Sequence, residues 1–128
     1  MSLVALPLNP LCIGESVILI AEDETTIRFL ATEFLTDAGF TVIEAEHSAE
    51  ALAILLLHKI DLVFTDINMP GDMKGDYLAD WLLINHPGMP VLLTSGDVRP
   101  KIATLYRRFI SKPYQLSEVE QHIRQLLN

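Results

Sequence analysis

The sequence predicts an α/β protein built around a five-stranded parallel sheet. Apolar runs of strand length alternate with segments of helical periodicity from Ser16 to the end of the chain, and this alternation is typical of right-handed βαβ units. A chain of 128 residues is long enough for one domain with a single core. Polar residues follow several of the apolar runs, at the sheet edge where open α/β folds place their sites.

The predicted strands are short apolar runs. They lie at Val17 to Ala21, Thr41 to Glu44, Leu62 to Thr65, Pro90 to Thr94 and Phe109 to Ser111. The second run is short and half polar, as expected of an edge strand. The fourth is apolar until its end, as expected of a central strand that is covered on both faces.

The predicted helices carry apolar residues at helical spacing between these strands. The first helix is expected to stop at Gly39, and Ser48 is the expected N-cap of the second. The third is predicted from about Asp76 to Asn85. Ser117 and Glu120 have the spacing of a capping box, which predicts the start of the last helix.

Two stretches of the chain leave little room for regular structure. Between the fourth and fifth strands, Gly96 to Arg108 must hold two loops and a helix, so the fourth helix is predicted to be short or irregular. Residues 1–15 contain two prolines and no basic residue. This segment lacks the positive start of a secretory signal and is interpreted as a flexible arm. The predicted domain covers residues 16–128.

Composition and charge exclude several classes of function. A formal net charge of −8 disfavours direct binding to nucleic acid, whose phosphates attract basic side chains. No apolar stretch approaches the roughly 20 residues that span a bilayer, so membrane insertion is not expected. Cys12 is the single cysteine, which makes an internal disulfide impossible and favours a reducing compartment, the cytoplasm.

Five polar residues follow predicted strands: Glu22 and Asp23 after the first, Asp66 after the third, Ser95 after the fourth and Lys112 after the fifth. Because the carboxyl ends of parallel strands meet at one edge, these side chains are expected to converge. Crowded carboxylates need a cation, and Mg²⁺ is the natural candidate because it prefers oxygen ligands. Carboxylates, a metal, a hydroxyl and an ammonium group are the parts of a phosphoryl-transfer site.

Four short motifs stand at the ends of four predicted strands: Glu22-Asp23, Asp66-Ile67-Asn68-Met69-Pro70-Gly71, Thr94-Ser95-Gly96 and Lys112-Pro113. Together they resemble the signature positions of the response-regulator receiver domain of two-component signalling. The resemblance covers 16–128 and implies a doubly wound, flavodoxin-like fold with strand order 2-1-3-4-5. It also implies a phosphorelay function, in which a sensor histidine kinase or histidine phosphotransfer protein donates a phosphoryl group and the domain then switches conformation to regulate an unidentified partner.

The resemblance assigns the metal and acceptor roles residue by residue. Asp66 would be the phosphoacceptor and a ligand of Mg²⁺ or Mn²⁺. Asp23 would bind the metal directly, Glu22 through a water, and the main-chain carbonyl of Asn68 would supply another oxygen. Glu22 departs from the commonest pattern, in which an aspartate stands at this position, and that change should alter only the water-mediated part of the metal shell.

The resemblance also assigns the groups that would respond to phosphorylation. Ser95 would donate its hydroxyl to a phosphoryl oxygen, and Lys112 would pair with another. The Lys112–Pro113 bond is expected to be cis, an isomer rarely seen except before proline. Phe109 matches the aromatic whose rotation accompanies the movement of Ser95 in this family. The loop from Gly71 to Gly75 is one residue longer than in the common pattern of this family.

Each of these residues also has a structural interpretation. Asp66 could cap the turn after its strand, Glu22 and Asp23 could serve the dipole of the first helix, Ser95 could cap a helix and Lys112 could be an ordinary solvated lysine. Their occurrence together, in the order of the strands, favours the functional interpretation.

Two other functions remain open from the sequence. A Mg²⁺-dependent phosphatase of the haloacid-dehalogenase kind also forms an aspartyl phosphate, but it has a second aspartate where this chain has Asn68, which cannot titrate. A receiver-like interaction module that is never phosphorylated is the other alternative. The expected domain is not an enzyme beyond its own phosphotransfer and dephosphorylation, and it is either a stand-alone regulator or a fragment of a hybrid kinase.

Overall fold

The computed structural model describes residues 16–67, 69, 75–96 and 106–128, with only the backbone of residues 75–77. The strands are β1 Val17–Ala21, β2 Thr41–Ala45, β3 Leu62–Asp66, β4 Val91–Ser95 and β5 Arg107–Ser111. The helices of the described residues are α1 Thr25–Asp37, α2 Ser48–Leu57, α3 Gly75–Asn85 and α4 Leu116–Leu127.

All five strands are parallel and lie in the order β2-β1-β3-β4-β5. This confirms the predicted doubly wound, flavodoxin-like order 2-1-3-4-5. The register aligns the carboxyl ends of the strands, because Ala21 lies beside Thr65 and Asp66 lies beside Thr94. Residues that follow β1, β3, β4 and β5 are therefore held at one edge of the sheet.

The core has two layers, one on each face of the sheet. Alternate residues of a strand point to opposite faces, so that Leu19 packs in the layer with α2 and α3, whereas Ile18 and Ile20 pack in the layer with α1 and α4. The central strands β3 and β4 are buried along their whole length. This confirms the prediction that the fourth strand is covered on both faces.

Most predicted element boundaries agree with the structure within one residue, and β5 is the exception. It begins at Arg107 rather than at Phe109, because Arg107 and Arg108 pair with Val91 and Leu92 of β4. Two basic residues carry no strand signal in the sequence, so this pairing depends on the neighbouring strand. The stop of α1 is confirmed: the helix ends at Asp37, and Gly39 has a φ of 105°, which a side chain would strain.

Both predicted helix caps are wrong. α2 is capped by His47, whose Nδ1 accepts a hydrogen bond of 3.1 Å from the main-chain N–H of Glu50, and Ser48 is the first helical residue. α4 begins at Leu116, one residue before the predicted cap. Glu120 lies too far along this helix to close a capping box and pairs instead with Arg124 at 2.8 Å.

Several predictions fall on residues outside the described part of the chain. These are the flexible arm at residues 1–15 with Cys12, the metal-ligating carbonyl of Asn68, the long loop at 71–75, of which 71–74 are not described, and the short or irregular fourth helix, for which 97–105 are not described. Within the described residues, none of the helices has the length and apolar character needed to cross a membrane.

Candidate functional site

Three carboxylates meet at the carboxyl edge of the sheet. One oxygen each from Glu22, Asp23 and Asp66 lies within 4.8 Å of the other two. Glu22 and Asp66 are only 3% and 5% exposed, whereas Asp23 is open to solvent. The structure thus brings together the three side chains that the sequence placed at the ends of β1 and β3.

The ammonium group of Lys112 reaches this cluster from the end of β5. Its Nζ donates to Oδ2 of Asp66 at 2.8 Å and lies 2.6 Å from Oε1 of Glu22. The main-chain N–H of Lys112 bonds to the carbonyl of Ser95 at 3.0 Å, which fixes the loop beside β4. The Lys112–Pro113 bond is cis, as predicted.

The main chain also holds the Glu22 carboxylate in place. The N–H of Glu24 donates to Glu22 Oε2 at 3.1 Å, and the N–H of Glu22 itself donates to the carbonyl of Ala45 at 3.0 Å. The first bond lies within the turn after β1, and the second ties that turn to the end of β2. The turn that carries Asp23 is therefore anchored on the sheet side.

Burial and ion pairing oppose each other in this cluster. Burial raises the pKa of Glu22 above its ordinary value, and the contact with Lys112 only partly offsets that rise. Burial alone would lower the pKa of Lys112, but the hydrogen bonds and charges of Asp66 and Glu22 outweigh it and raise that pKa. The ammonium group of Lys112 and the carboxylates that it contacts therefore interact as one electrostatic unit.

Ser95 and Phe109 lie on the same face of the sheet. Ser95 ends β4 and is buried, and the period-two alternation of a strand puts it on the face of Leu93. Phe109 lies beside Leu93 in the β4–β5 ladder and packs against the layer of α2 and α3. This arrangement brings the two predicted switch residues to one side of the sheet, while their roles stay predictions.

Tyr114 belongs to the surroundings of the site and was not singled out from the sequence. Its ring packs against Phe64 at 5.6 Å between centroids, and the side chain shares a small cleft with Glu22 and Asp66. Burial, followed by the charge of Glu22, raises the pKa of Tyr114 to about 12. Its position two residues after Lys112 was the signal, but one aromatic residue in a loop does not indicate a role.

The donor set fits a hard divalent cation. Carboxylate oxygens are the ligands that Mg²⁺ prefers, and the cluster offers three of them around one point. Three carboxylates outnumber the ammonium group of Lys112, and two of them are almost completely buried. A bound divalent cation would offset this excess of negative charge.

Comparison with known proteins identifies the family. The sequence matches the response regulator receiver domain over residues 18–124. It is 30% identical over 121 residues to the sensor kinase CckA of Brucella abortus, and the match covers 89% of this chain and 13% of that protein. A match to the transcriptional regulatory protein GlrR of Escherichia coli covers 25% of the relative, so the chain spans a quarter or less of these two curated relatives.

Solved structures of receiver proteins have the same architecture. The receiver protein from Sinorhizobium medicae superimposes with a TM-score of 0.81 at 28% identity, covering 91% of this chain and 97% of that one. The response regulator TrrA from Thermotoga maritima, in complex with Mg²⁺ and BeF, gives a TM-score of 0.78 at 27% identity, with 88% and 99% covered.

The chain belongs to the response regulator receiver domain family of two-component signalling. This confirms the resemblance that the four motifs carry. Family membership also favours the receiver interpretation over the phosphatase alternative. Asn68, which distinguishes those two in the sequence, lies outside the described residues.

Proposed function

We propose that Asp66 is the phosphoacceptor of this receiver domain. The observation that carries the proposal is the 2.8 Å contact between the Asp66 carboxylate and the ammonium group of Lys112, beside two further carboxylates. A carboxylate oxygen of Asp66 would attack the phosphorus of a phosphohistidine. The P–N bond breaks, its electron pair stays on the imidazole, and an acyl phosphate forms on Asp66.

The neighbouring groups support this transfer by charge and position. Lys112 would follow the developing negative charge from the Asp66 carboxylate to a phosphoryl oxygen, and Ser95 would donate its hydroxyl to another. Asp23 and Asp66 would hold Mg²⁺ or Mn²⁺ directly, and Glu22 would hold it through a water. When bound, the metal would neutralise charge on the oxygens of the transferred group. Hydrolysis of the acyl phosphate then resets the domain.

The surface beside the site supports a protein donor. An open groove of about 420 Å³ runs next to Lys112, between α1 and the start of α4, and is mainly lined by apolar side chains such as Ile27 and Leu30. Phe29 and Leu30 on the outer side of α1 are 56% and 51% exposed. Exposed apolar area of this kind marks protein interaction sites. We propose that the phosphohistidine-bearing protein, a sensor kinase or phosphotransfer protein, contacts α1 there.

In the cell, the domain would catalyse only its own phosphorylation and dephosphorylation, and would act on a downstream protein by changing conformation. A cytoplasmic location is also proposed, because a single cysteine favours a reducing compartment.

The experiment is labelling with a small phosphodonor. The full chain is incubated with acetyl phosphate and Mg²⁺, and the adduct is followed by mass spectrometry and by release with hydroxylamine, which cleaves acyl phosphates. We expect a labile adduct on the wild type and on Asp37→Asn, an exposed aspartate at the end of α1, and none on Asp66→Asn. Equal labelling of Asp66→Asn would overturn the proposal, and continuous turnover of phosphate esters would favour the phosphatase.

A further inference from the structure

Arg28 makes three contacts around the turn that carries the candidate metal ligands. Its side chain, on the first part of α1, is only 11% exposed. Nη1 donates to the main-chain carbonyl of Glu22 at 2.8 Å. Nε donates to Oε1 of Glu44 at 3.0 Å, and Nη2 lies 3.8 Å from Oε1 of Glu46.

The contact with Glu22 is to the peptide and not to the carboxylate. The carbonyl of Glu22 belongs to the peptide unit that leads directly into Asp23. A hydrogen bond to this oxygen fixes the plane of that peptide, and hence the direction in which Asp23 leaves the main chain. On the other side, the N–H of Glu22 is bonded to the carbonyl of Ala45, so Arg28 completes the anchoring of this turn.

The two glutamates on the outer side fix the guanidinium in turn. Glu44 lies near the end of β2 and Glu46 just beyond it, and both are partly exposed. The planar fork of an arginine can serve a carbonyl and carboxylates at once, which the ammonium group of a lysine cannot do with the same geometry. Arg28 therefore links the end of β2 to the turn after β1.

Charge alone would give Arg28 the opposite effect on a metal. A guanidinium near an acidic cluster repels a divalent cation, so that removing it should strengthen metal binding. Positioning acts in the other direction, because residues that orient a metal ligand typically contribute about ten- to a hundredfold to affinity. The direction in which Mg²⁺ affinity changes when Arg28 is replaced therefore separates the two effects.

We propose that Arg28 is a positioning residue for the metal site, which holds Asp23 in place through the Glu22 carbonyl. This inference rests on the proposed function, since it requires that Asp23 and Asp66 bind Mg²⁺. It assigns to Arg28 no contact with the metal or with the phosphoryl group.

The test is the dissociation constant for Mg²⁺, measured on the full chain by titration calorimetry without phosphodonor. We expect Arg28→Gln to raise it about tenfold, and Arg28→Lys, which keeps the charge, to raise it as well. Arg124→Gln is the matched control. Arg124 also binds one carboxylate and one main-chain carbonyl, those of Glu120 and Ala38, but at the far end of α1. Its loss should leave Mg²⁺ affinity unchanged.

Thermal unfolding in EDTA accompanies each titration, so that loss of fold is separated from loss of binding. If Arg28→Gln is too unstable, Arg28→Lys decides. Unchanged or tighter Mg²⁺ binding by Arg28→Gln, or wild-type affinity in Arg28→Lys, would overturn the inference and leave the proposed function intact. Absence of Mg²⁺ binding by the wild type, or wild-type affinity in Asp23→Asn, would overturn the metal site itself and with it the role of Arg28.

Discussion

The residue that ties the site together is Lys112, because two buried carboxylates share its ammonium group. The sequence indicated that Glu22, in place of an aspartate, would change only the water-mediated part of the metal shell. The structure adds a second consequence: the longer side chain reaches Lys112 at 2.6 Å. In the proposed reaction, Lys112 would exchange a carboxylate for a phosphoryl oxygen when Asp66 is phosphorylated, and Glu22 would compete with that exchange.

Replacing Lys112 with methionine should move two properties in opposite directions. Loss of the positive charge within a few ångströms of the metal ligands should tighten Mg²⁺ binding by about tenfold or more. Loss of the group that neutralises the phosphoryl oxygen should slow labelling by acetyl phosphate about a hundredfold. Calorimetric titration measures the first effect and the rate of adduct formation the second.

Lys112→Arg serves as the control because it retains the charge. It should bind Mg²⁺ with nearly wild-type affinity, because the charge near the metal ligands is the same. Only the geometry of the donor group changes, since the planar fork of an arginine differs from an ammonium group. An unchanged labelling rate in Lys112→Met would show that Lys112 does not act on the transferred group.

At the scale of the elements, the strands were predictable because apolar runs carry their own signal. All five were placed from the sequence, and their order was implied by the resemblance to receiver domains that the four motifs carry. The start of β5 was not predictable, since Arg107 and Arg108 are strand residues only through their pairing with β4. The cap prediction for α2 was wrong for a local reason. Histidine is not a usual cap, yet His47 supplies an acceptor at the position where α2 begins.

The candidate site was predictable to the extent that it consists of residues at strand ends. Glu22, Asp23, Asp66 and Lys112 converge as expected, because parallel strands bring their carboxyl ends to one edge. Arg28 was not predictable. It acts through a main-chain carbonyl, and nothing in a sequence shows which carbonyl a helical arginine will reach. Tyr114 was missed because its relation to Glu22 depends on how the loop after β5 folds.

At the scale of the whole molecule, two groups near the site link the stability of the fold to alkaline pH. The native protein raises the pKa of Tyr114 from the usual 10.0 to about 12, and it also raises the pKa of Lys112 above its usual value. Between the unfolded and folded values the native state binds more protons than the unfolded state, so stability falls as pH rises. The stabilisation is complete below the unfolded pKa values and is lost progressively as pH rises from them through the folded values.

Tyr114→Phe should therefore flatten the alkaline loss of stability. The variant keeps an aromatic ring against Phe64 but removes the titrating hydroxyl, so the contribution of Tyr114 to the slope should disappear while that of Lys112 stays. Urea midpoints from about pH 9 to about pH 11 measure the effect, and the difference in ultraviolet absorbance between the two proteins reports the ionisation of Tyr114. An equally steep loss in the variant, or ionisation of Tyr114 at the ordinary value, would contradict this assignment.

The proposed role of Asp66 is to accept a phosphoryl group within the pocket that its neighbours form. A crystal structure of the full chain with Mg²⁺ and beryllofluoride would show whether it does, because beryllofluoride binds a carboxylate oxygen as an analogue of the phosphoryl group. We predict beryllium on the Asp66 carboxylate, Mg²⁺ between Asp66 and Asp23, and the ammonium group of Lys112 against a fluorine. Beryllofluoride on another carboxylate, or Lys112 still paired with Glu22 and away from the bound group, would contradict the account.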